Sequence, residues 1–387
     1  MQIQTLNKIS PIGLERFDRS LYSWGDEAET PDAILVRSAS MHDMTFPASV
    51  KAIARAGAGV NNIPLDECAQ KGIVVFNTPG ANANAVKEIT LLGLLISSRK
   101  VAASMEWVKT LKGSGDEISK KIEKGKGAFV GPEIKGKKLG VIGLGAIGVQ
   151  VANAAAGLGM TVYGYDPYLS VETAWSMSSS IYHAKTLKDI YENCDYITLH
   201  LPCNGETKGM INAASIATMK SNVRLLNFAR GELVVTEDLL TAIDEKKIAC
   251  YVTDFPTDEM IDHENIVAFP HLGASTPESE DNCAVMAVDE LTDYLETGNI
   301  VHSVNLPNVS LPRSAGMPRV CVIHLNVSGL INKLTAVISE AGGNIENMIS
   351  GSRKEYAYTM FDLSGNLPAD LAKQLDQIPD VIRSRVI

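Results

Sequence analysis

A glycine-rich stretch near the middle of the chain constrains the fold more than any other feature. Residues 138–148 read KLGVIGLGAIG, an apolar run that ends in Gly143, Gly145 and Gly148. Apolar residues at helical spacing follow, from Val149 to Leu158. This order predicts a strand, a tight turn and a helix. The turn lets a pyrophosphate approach the backbone, and the free N–H groups and positive dipole end of the helix attract its charge.

A carboxylate then specifies the kind of dinucleotide. A second apolar run, Thr161–Tyr165, ends in Asp166, about 20 residues beyond the glycines. A carboxylate there accepts hydrogen bonds from the adenosine ribose hydroxyls and repels a 2′-phosphate. No Arg or Lys occurs between Pro167 and Ala184 to bind such a phosphate. We therefore expect NAD rather than NADP; the alternative is an ordinary glycine-rich turn.

Bulk composition excludes several classes of function. The chain has 387 residues, enough for about two or three domains, and its net charge of −10 disfavours nucleic acid and anionic membranes as partners. Its six cysteines form no C-x-x-C pair, so we predict no zinc ribbon, no dithiol site and no other metal. No apolar run is long enough to span a bilayer. We expect a cytoplasmic protein that acts on a small molecule.

Three short apolar runs in the first hundred residues are predicted to be strands: Ala33–Val36, Lys51–Ala54 and Ile73–Phe76. Polar or glycine-rich loops follow each run and contain Arg37, Arg55 and the small residues Gly57–Gly59. Ligands bind beyond the carboxyl ends of parallel strands, so these loops are candidates for an anion site. The alternative is that both arginines are surface residues beside ordinary turns.

The rest of the pattern predicts an α/β protein with an inserted cofactor domain. A long helix is predicted at Val86–Val108, and a second one at Asp281–Thr297. Between them lies a doubly wound, Rossmann-type parallel sheet, which continues beyond the glycine stretch with four strands: Asp195–Leu199, Val223–Asn227, Ala249–Thr253 and Ile266–Phe269. The charged segment Lys109–Gly131 reads as a loop or frayed helix and has no assigned function.

The predicted domains follow from that insertion. Residues 1–97 and 283–306 form a smaller, flavodoxin-like α/β substrate domain, and residues 98–282 form the NAD domain. A linker with prolines and small residues, Asn305–Pro318, leads to a separate module at 318–387. Its apolar pattern predicts the order βαββαβ, which is ferredoxin-like.

Three polar side chains follow late strands of the NAD domain and suggest chemistry. Arg230 lies on a turn, Glu259 lies a few residues beyond a strand end, and His271 follows another strand directly. Oxidation of a secondary alcohol needs a group that takes the hydroxyl proton, and histidine titrates in the right range. A carboxylate orients the imidazole, and an arginine binds the substrate's carboxylate. The alternative is that His271 caps a loop while the other two are solvated.

Several motifs together resemble one known family. They are Arg55–Ile63, Asn77–Gly80, the glycine stretch with Tyr165–Pro167, His200–Pro202, Asn227–Gly231 and His271–Thr276. Over essentially its whole length the chain resembles the D-isomer-specific 2-hydroxyacid dehydrogenases. The resemblance implies NAD-dependent oxidation of 3-phospho-D-glycerate, the starting compound of phosphorylated serine synthesis. It leaves open another D-2-hydroxyacid dehydrogenase, such as a hydroxypyruvate or glyoxylate reductase, and a non-catalytic NAD sensor.

The resemblance assigns roles by position. His271 is the general acid/base, Glu259 its carboxylate partner and Arg230 the arginine that binds the substrate's carboxylate. The implied substrate contacts are Arg37, Ser38, Arg55, Gly57, Ala58, Gly59 and Arg230. The implied cofactor contacts are Gly143, Gly145, Ala146, Ile147, Gly148, Asp166, His200, Pro202, Thr207, Phe228, Ala229, Asp254 and Gly273. The connection from Glu259 to His271 is shorter than in many relatives, so Asp258 and Asp262 remain alternative partners.

The C-terminal module resembles an ACT domain, a unit that senses amino acids. Gly343–Ile345 matches that family, whereas Ser328 replaces its usual proline. The resemblance implies L-serine as an effector, bound at His324, Asn326 and Asn344 in a pair of such modules. Other ACT domains serve only to assemble subunits. The resemblance also implies a homodimer or homotetramer.

Overall fold

The computed structural model describes residues 1–314 and 316–387, and at residue 172 the backbone alone. Ala315, in the predicted linker, lies outside the described residues. The chain divides into two compact units, Met1–Asn82 with Pro277–Ile387, and Ala83–Thr276. Across the described residues, no helix combines the length and the apolar character needed to cross a membrane.

The first unit begins with a five-stranded parallel sheet. Its strands are β1 (Gln2–Leu6), β2 (Ser23–Gly25), β3 (Ala33–Val36), β4 (Ala52–Arg55) and β5 (Val74–Asn77). They lie in the order β2-β1-β3-β4-β5, which is the order of flavodoxin-like sheets and agrees with the flavodoxin-like class predicted for this part of the chain. The helices of this part are α1 (Pro11–Leu14), α2 (Leu65–Gln70) and α11 (Pro277–Thr297). All four residues of β3 are buried, as expected where helices cover both faces of a parallel sheet.

Two strands of this sheet are missing from the sequence-based prediction of three. β1 has the sequence QIQTL, in which polar residues interrupt the apolar run, and only Ile3 is fully buried. β2 has three residues and pairs with β1 over that length alone. Both strands depend on pairing with a neighbour, and local composition does not record that.

The C-terminal module belongs to the first unit. It contains β13 (Arg319–Leu325), α12 (Leu330–Glu340), β14 (Gly343–Arg353), β15 (Tyr356–Gly365), α13 (Leu371–Asp376) and β16 (Val381–Val386). The predicted βαββαβ order is confirmed, and the antiparallel sheet has the order β14-β15-β13-β16. Cys321 and Tyr358 of this sheet share a hydrophobic core with Tyr294 and Leu295 of α11. The module is therefore packed on the N-terminal part of its unit.

The predicted linker between the two parts is only partly a linker. Leu306 is fully buried, and Val309 pairs with Ile300 through two backbone hydrogen bonds. Prolines and small residues predict an extended chain, but the two apolar side chains between them enter the core.

The second unit is built on a seven-stranded parallel sheet. Its strands are β6 (Lys138–Ile142), β7 (Thr161–Tyr165), β8 (Tyr182–His183), β9 (Tyr196–Leu199), β10 (Val223–Asn227), β11 (Ile248–Thr253) and β12 (Ile266–Ala268). Its helices are α3 (Ala83–Ser98), α4 (Val101–Thr110), α5 (Ile118–Gly125), α6 (Ala146–Gly157), α7 (Val171–Ser176), α8 (Leu187–Asn193), α9 (Ala213–Thr218) and α10 (Thr236–Asp244). The strand order β8-β7-β6-β9-β10-β11-β12 is that of a doubly wound Rossmann sheet.

The predicted long helix at Val86–Val108 is wrong as a single element. The structure breaks it into α3 and α4 at Arg99 and Lys100, and Lys100 has a non-helical ψ of 50°. Near the end of α3, the hydroxyls of Ser97 and Ser98 both donate hydrogen bonds to the backbone carbonyl of Leu94. Such bonds weaken the helical ladder, and apolar periodicity alone does not register them.

The compact units end at different residues from the predicted domains. The chain passes between the units at Asn82/Ala83 and Thr276/Pro277, and α11 begins four residues before the predicted helix. The domains at 1–97 with 283–306, 98–282 and 318–387 are functional divisions and stay a prediction.

Candidate active site

The glycine turn has the geometry that a dinucleotide site needs. Gly143 follows β6 with φ of +92°, and a Cβ there would lie 2.4 Å from the carbonyl oxygen of His200. A Cβ on Gly148 would lie 1.9 Å from the carbonyl oxygen of Gly143. Any side chain at either position would force the strand, turn and helix apart.

The N-terminus of α6 faces open space. Gly145 is its N-cap, no side chain caps it, and a Cβ on Gly145 would meet nothing within 4 Å. The first N–H groups of a helix have no partner within the helix, so those of Ala146 and Ile147 can bind an anion. Asp166 stands beside this turn, because its carboxylate accepts the N–H of Leu144 at 2.8 Å and that of Tyr168 at 2.8 Å.

The loop after β9 contains three of the predicted cofactor residues. Burial lowers the pKa of His200 to about 3, so the ring is neutral, and its Nε2 lies 3.0 Å from the hydroxyl of Thr198. Thr207 donates its hydroxyl to the carbonyl of Pro202 at 2.6 Å and accepts the N–H of Asn204 at 2.9 Å. Thr207 therefore closes this loop from within.

The turn after β10 is held by Asn227, which begins one of the family-like motifs but was not among the predicted site residues. Asn227 is fully buried, and its Nδ2 donates to the carbonyl of Arg230 at 2.8 Å. Its Oδ1 accepts the N–H of Ala229 at 3.1 Å. Phe228 is buried against Phe269, while the Arg230 side chain is exposed. A polar residue at the last position of a buried strand was the available signal.

The carboxyl group of Asp254 interacts electrostatically with both His271 and Arg230. Its side chain is 2% exposed, Oδ2 accepts the N–H of Gly273 at 3.0 Å, and buried Oδ1 has no partner among the described residues. Burial raises the pKa of Asp254, while the Gly273 bond and the positive charges of His271 and Arg230 act in the opposite direction. The unpartnered oxygen marks a place for a hydrogen-bond donor.

The imidazole of His271 is exposed to solvent and contacts the aromatic ring of Phe255. Its ring centroid lies 4.6 Å from that of Phe255, at an interplanar angle of 51°. Phe255 follows Asp254 directly and was not selected from the sequence. Within the described part of the chain no hydrogen bond to the ring nitrogens of His271 is formed, so both remain available.

The carboxylate of Glu259 is hydrogen-bonded to Thr257 in the structure. It lies in a 3-10 turn, Asp258–Met260, and its carboxylate is exposed. A hydrogen bond from the Thr257 hydroxyl lowers the pKa of Glu259. Among the described residues it forms no hydrogen bond or ion pair with His271, and neither do the exposed alternatives Asp258 and Asp262. The pairing of Glu259 with His271 stays a prediction.

The predicted anion-binding residues lie together in the first unit. Val36, Arg55 and Asn77 are register partners on β3, β4 and β5, so the loops beyond them start at one edge of the sheet. Nε of Arg55 donates to the carbonyl of Arg37 at 3.0 Å. The guanidinium of Arg55 covers Gly57, where a Cβ would lie 1.9 Å from Nη1.

Asn77 fixes the loop that follows β4. Its Nδ2 donates to the carbonyl of Ala58 at 2.6 Å, and the N–H of Thr78 donates to the carbonyl of Gly57 at 3.2 Å. Gly57 has φ of +146°, and Ala58 and Gly59 are partly exposed. The backbone N–H of Ser38 is already used, because it donates to Oδ1 of Asn7 at 3.1 Å. Arg55 and the loop Gly57–Gly59 can thus present a positive charge and backbone N–H groups to an anion.

The three predicted effector residues differ in exposure. His324 is buried, with Nδ1 2.8 Å from the carbonyl oxygen of Leu325 and Nε2 2.9 Å from the hydroxyl of Thr359. Asn326 and Asn344 are exposed, and Nδ2 of Asn344 donates to Glu346 at 2.7 Å. Both nitrogens of His324 are therefore used inside the module, whereas the two amides face solvent.

Comparison with known proteins identifies the family. The model of the D-isomer-specific 2-hydroxyacid dehydrogenase NAD-binding domain matches residues 93–273. A D-3-phosphoglycerate dehydrogenase of Haemophilus influenzae is 32% identical over 85% of this chain and 79% of its own length. The chain belongs to the D-isomer-specific 2-hydroxyacid dehydrogenases. Its second unit therefore contains the NAD-binding domain of a dehydrogenase.

Two further relatives carry the same name. A D-3-phosphoglycerate dehydrogenase of Bacillus subtilis is 35% identical over 73% of this chain, which spans 53% of the length of that relative. The solved NAD⁺-bound 3-phosphoglycerate dehydrogenase of Entamoeba histolytica is 26% identical, with a TM-score of 0.60. That alignment covers 79% of this chain and 98% of the other.

The residues of the second unit fit NAD. The open helix N-terminus suits the pyrophosphate, and Asp166 retains lone pairs for ribose hydroxyls. The buried Oδ1 of Asp254 lacks a donor, which an amide N–H of the cofactor would supply. NAD is the cofactor of this dehydrogenase.

Proposed function

We propose that the protein catalyses the NAD-dependent oxidation of 3-phospho-D-glycerate to 3-phosphohydroxypyruvate. The observation that carries the proposal is the juxtaposition of Arg37, Arg55 and the loop Gly57–Gly59 at one sheet edge. The relatives named for this reaction support it. In this proposal Arg37 and Arg55 bind the phosphate, and the N–H groups of Gly57–Gly59 meet the carboxylate. Such a local concentration of positive charge is needed because the chain as a whole has a net charge of −10.

In the proposed mechanism, His271 takes the proton of the C2 hydroxyl. Its ring nitrogens are free of hydrogen bonds from the described residues, and Phe255 fixes one face of the ring. Arg230 binds the substrate's carboxylate and polarises the C2 oxygen as its charge grows. NAD, when bound, supplies the two-electron acceptor for the oxidation at C2. Asp254 stabilises the charged imidazole through its field.

The test is a substrate panel with matched variants. We expect NADH to form with 3-phospho-D-glycerate, and His271→Ala to lower kcat by about two to four orders of magnitude. His263→Ala is the control, since that histidine lies outside the proposed set and pairs with Asp244. Full turnover by His271→Ala would remove the proposed base. Turnover of hydroxypyruvate or glyoxylate alone would favour an unphosphorylated substrate.

A second set of assays concerns Glu259. If it pairs with His271 during turnover, Glu259→Gln should lower kcat by about tenfold or more and shift the acidic limb of the pH profile. Thr257→Val is the control, because it removes only the hydroxyl that Glu259 bonds in the structure. An unchanged pH profile in Glu259→Gln would exclude this pairing.

We further propose that residues 318–387 form an ACT domain that senses L-serine, in a homodimer or homotetramer. The βαββαβ order and the exposed amides of Asn326 and Asn344 support this. Calorimetry with L-serine tests the effector, and light scattering coupled to size exclusion tests the subunit number. No heat at millimolar serine, or a monomer in solution, would reject the corresponding part.

A further inference from the structure

Arg37 already has an anionic partner in the structure. Its Nη2 lies 2.6 Å from Oε1 of Glu280, in the first turn of α11. The side chains are 40% and 45% exposed, so water reaches both. Exposed ion pairs of this kind contribute little stability and open readily.

This ion pair stands at the proposed phosphate site. The carbonyl of Arg37 accepts Nε of Arg55, whose guanidinium covers Gly57. Glu280 is therefore ion-paired with Arg37, the first residue of the anion-binding loops. A carboxylate in this position is a charge of the same sign as the substrate groups that those loops would bind.

Two anions compete for one guanidinium at this site. A phosphate dianion carries more negative charge than a carboxylate monoanion and therefore interacts with Arg37 more strongly, although both groups can accept two N–H bonds from one arginine. While Glu280 stays bound, it also repels the incoming phosphate. A substrate without a phosphate does not compete for Arg37, and its single carboxylate is repelled by Glu280 less than a phosphate dianion is.

We propose that Glu280 is a specificity-determining residue that competes with the substrate phosphate for Arg37. In the free enzyme the ion pair with Glu280 orients Arg37. A phosphorylated ligand breaks this ion pair by binding the guanidinium itself, and the ion pair forms again when the product leaves. The proposal rests on the phosphate-binding role of Arg37 in the proposed function. Glu280 thereby weakens binding of phosphorylated ligands much more than binding of unphosphorylated ones.

Glu280→Gln tests this by removing the charge while keeping the shape. We expect KM for 3-phosphohydroxypyruvate to fall about three- to tenfold, and KM for hydroxypyruvate to stay within about twofold. The control is Glu278→Gln in the same helical turn, since Glu278 is exposed and forms no ion pair with any described residue. It removes the same charge at the same helix end without touching Arg37. A similar fall in both variants would indicate a general charge effect and overturn the proposal.

A double-mutant cycle and a binding assay separate this proposal from the proposed function. The gain from Glu280→Gln should vanish in an Arg37→Gln background, and its persistence there would contradict the competition. Calorimetry of inorganic phosphate with the enzyme needs no turnover, and Glu280→Gln should tighten that binding about threefold or more. Unchanged phosphate affinity overturns the role of Glu280, whatever the substrate is. Failure of the wild type to use 3-phosphohydroxypyruvate overturns the substrate assignment alone.

Discussion

Arg319 connects the C-terminal module to α11 and to the segment that precedes β13. It is fully buried on β13, and every N–H of its guanidinium has a partner. Nε and Nη2 donate to Asp362 at 2.6 Å and 3.0 Å. The other donors reach three backbone carbonyls, those of Thr297 in α11 and of Leu311 and Pro312 in the connection.

Arg319→Met keeps much of the apolar stem and removes all of these bonds. It leaves the fully buried carboxylate of Asp362 without its bidentate partner, which typically costs about 3–5 kcal/mol. Three carbonyls also lose a donor, at about 1 kcal/mol each where water does not replace it. Arg313 lies 3.9 Å from Asp362 and offsets part of the loss. With part of the carbonyl loss made good by water, we expect a net destabilisation of about 5 kcal/mol.

Urea denaturation followed by circular dichroism measures this loss, and hydrogen exchange of residues 319–325 locates it. Arg313→Met is the matched control and should cost less than about 1 kcal/mol, because that side chain is partly exposed and lies farther from Asp362. Adding Asp362→Leu to Arg319→Met removes the orphaned charge and should restore at least half of the stability. A single variant within 1 kcal/mol of wild type would refute the argument, as would a double variant weaker than the single one.

Three further variants test the environments of other carboxyl groups. Asp254→Asn should raise the KM for NAD about tenfold without lowering the thermal midpoint, because burial already raises the pKa of that carboxyl; a fall in midpoint would contradict this. Burial raises the pKa of Glu290 from 4.5 to about 9, so wild-type stability should fall as pH rises between those values. Glu290→Gln should therefore raise the thermal midpoint at pH 8 and leave it nearly unchanged at pH 5, and the reverse pattern would refute the assignment. Asp166→Ser should lower the preference for NAD over NADP in steady-state kinetics, and an unchanged ratio would exclude its ribose role.

Elements with strong local signals could be predicted from the sequence. The strands Ala33–Val36, Thr161–Tyr165 and Val223–Asn227 have the predicted bounds, because their apolar runs end in clear turn residues. Strands that exist through pairing were missed, namely β1, β2 and the two-residue β8. The break between α3 and α4 was missed as well, since it reflects serine hydroxyls that return to the backbone.

For the site, sequence motifs selected residues but not their partners. The glycine turn and Asp166 have the predicted arrangement because strand, turn and helix are contiguous in the chain. Asp254 was selected as a cofactor contact, yet its position in the field of His271 and Arg230 depends on three separate strand ends. The Glu280 partner of Arg37 lies 243 residues away in the chain, and no spacing rule connects them.

The sequence by itself therefore determined the α/β fold class and the cofactor and supplied the candidate residues of the site, because periodicity, turn chemistry and contiguous motifs are local properties. Only the tertiary structure decided which charges meet. In the folded chain Asp254 is buried and hydrogen-bonded to Gly273, and Arg37 forms an ion pair with Glu280. Arg319 of the C-terminal sheet donates a hydrogen bond to α11. Such pairings arise when distant segments are brought together by the burial of apolar surface, and that packing is not encoded at any single position.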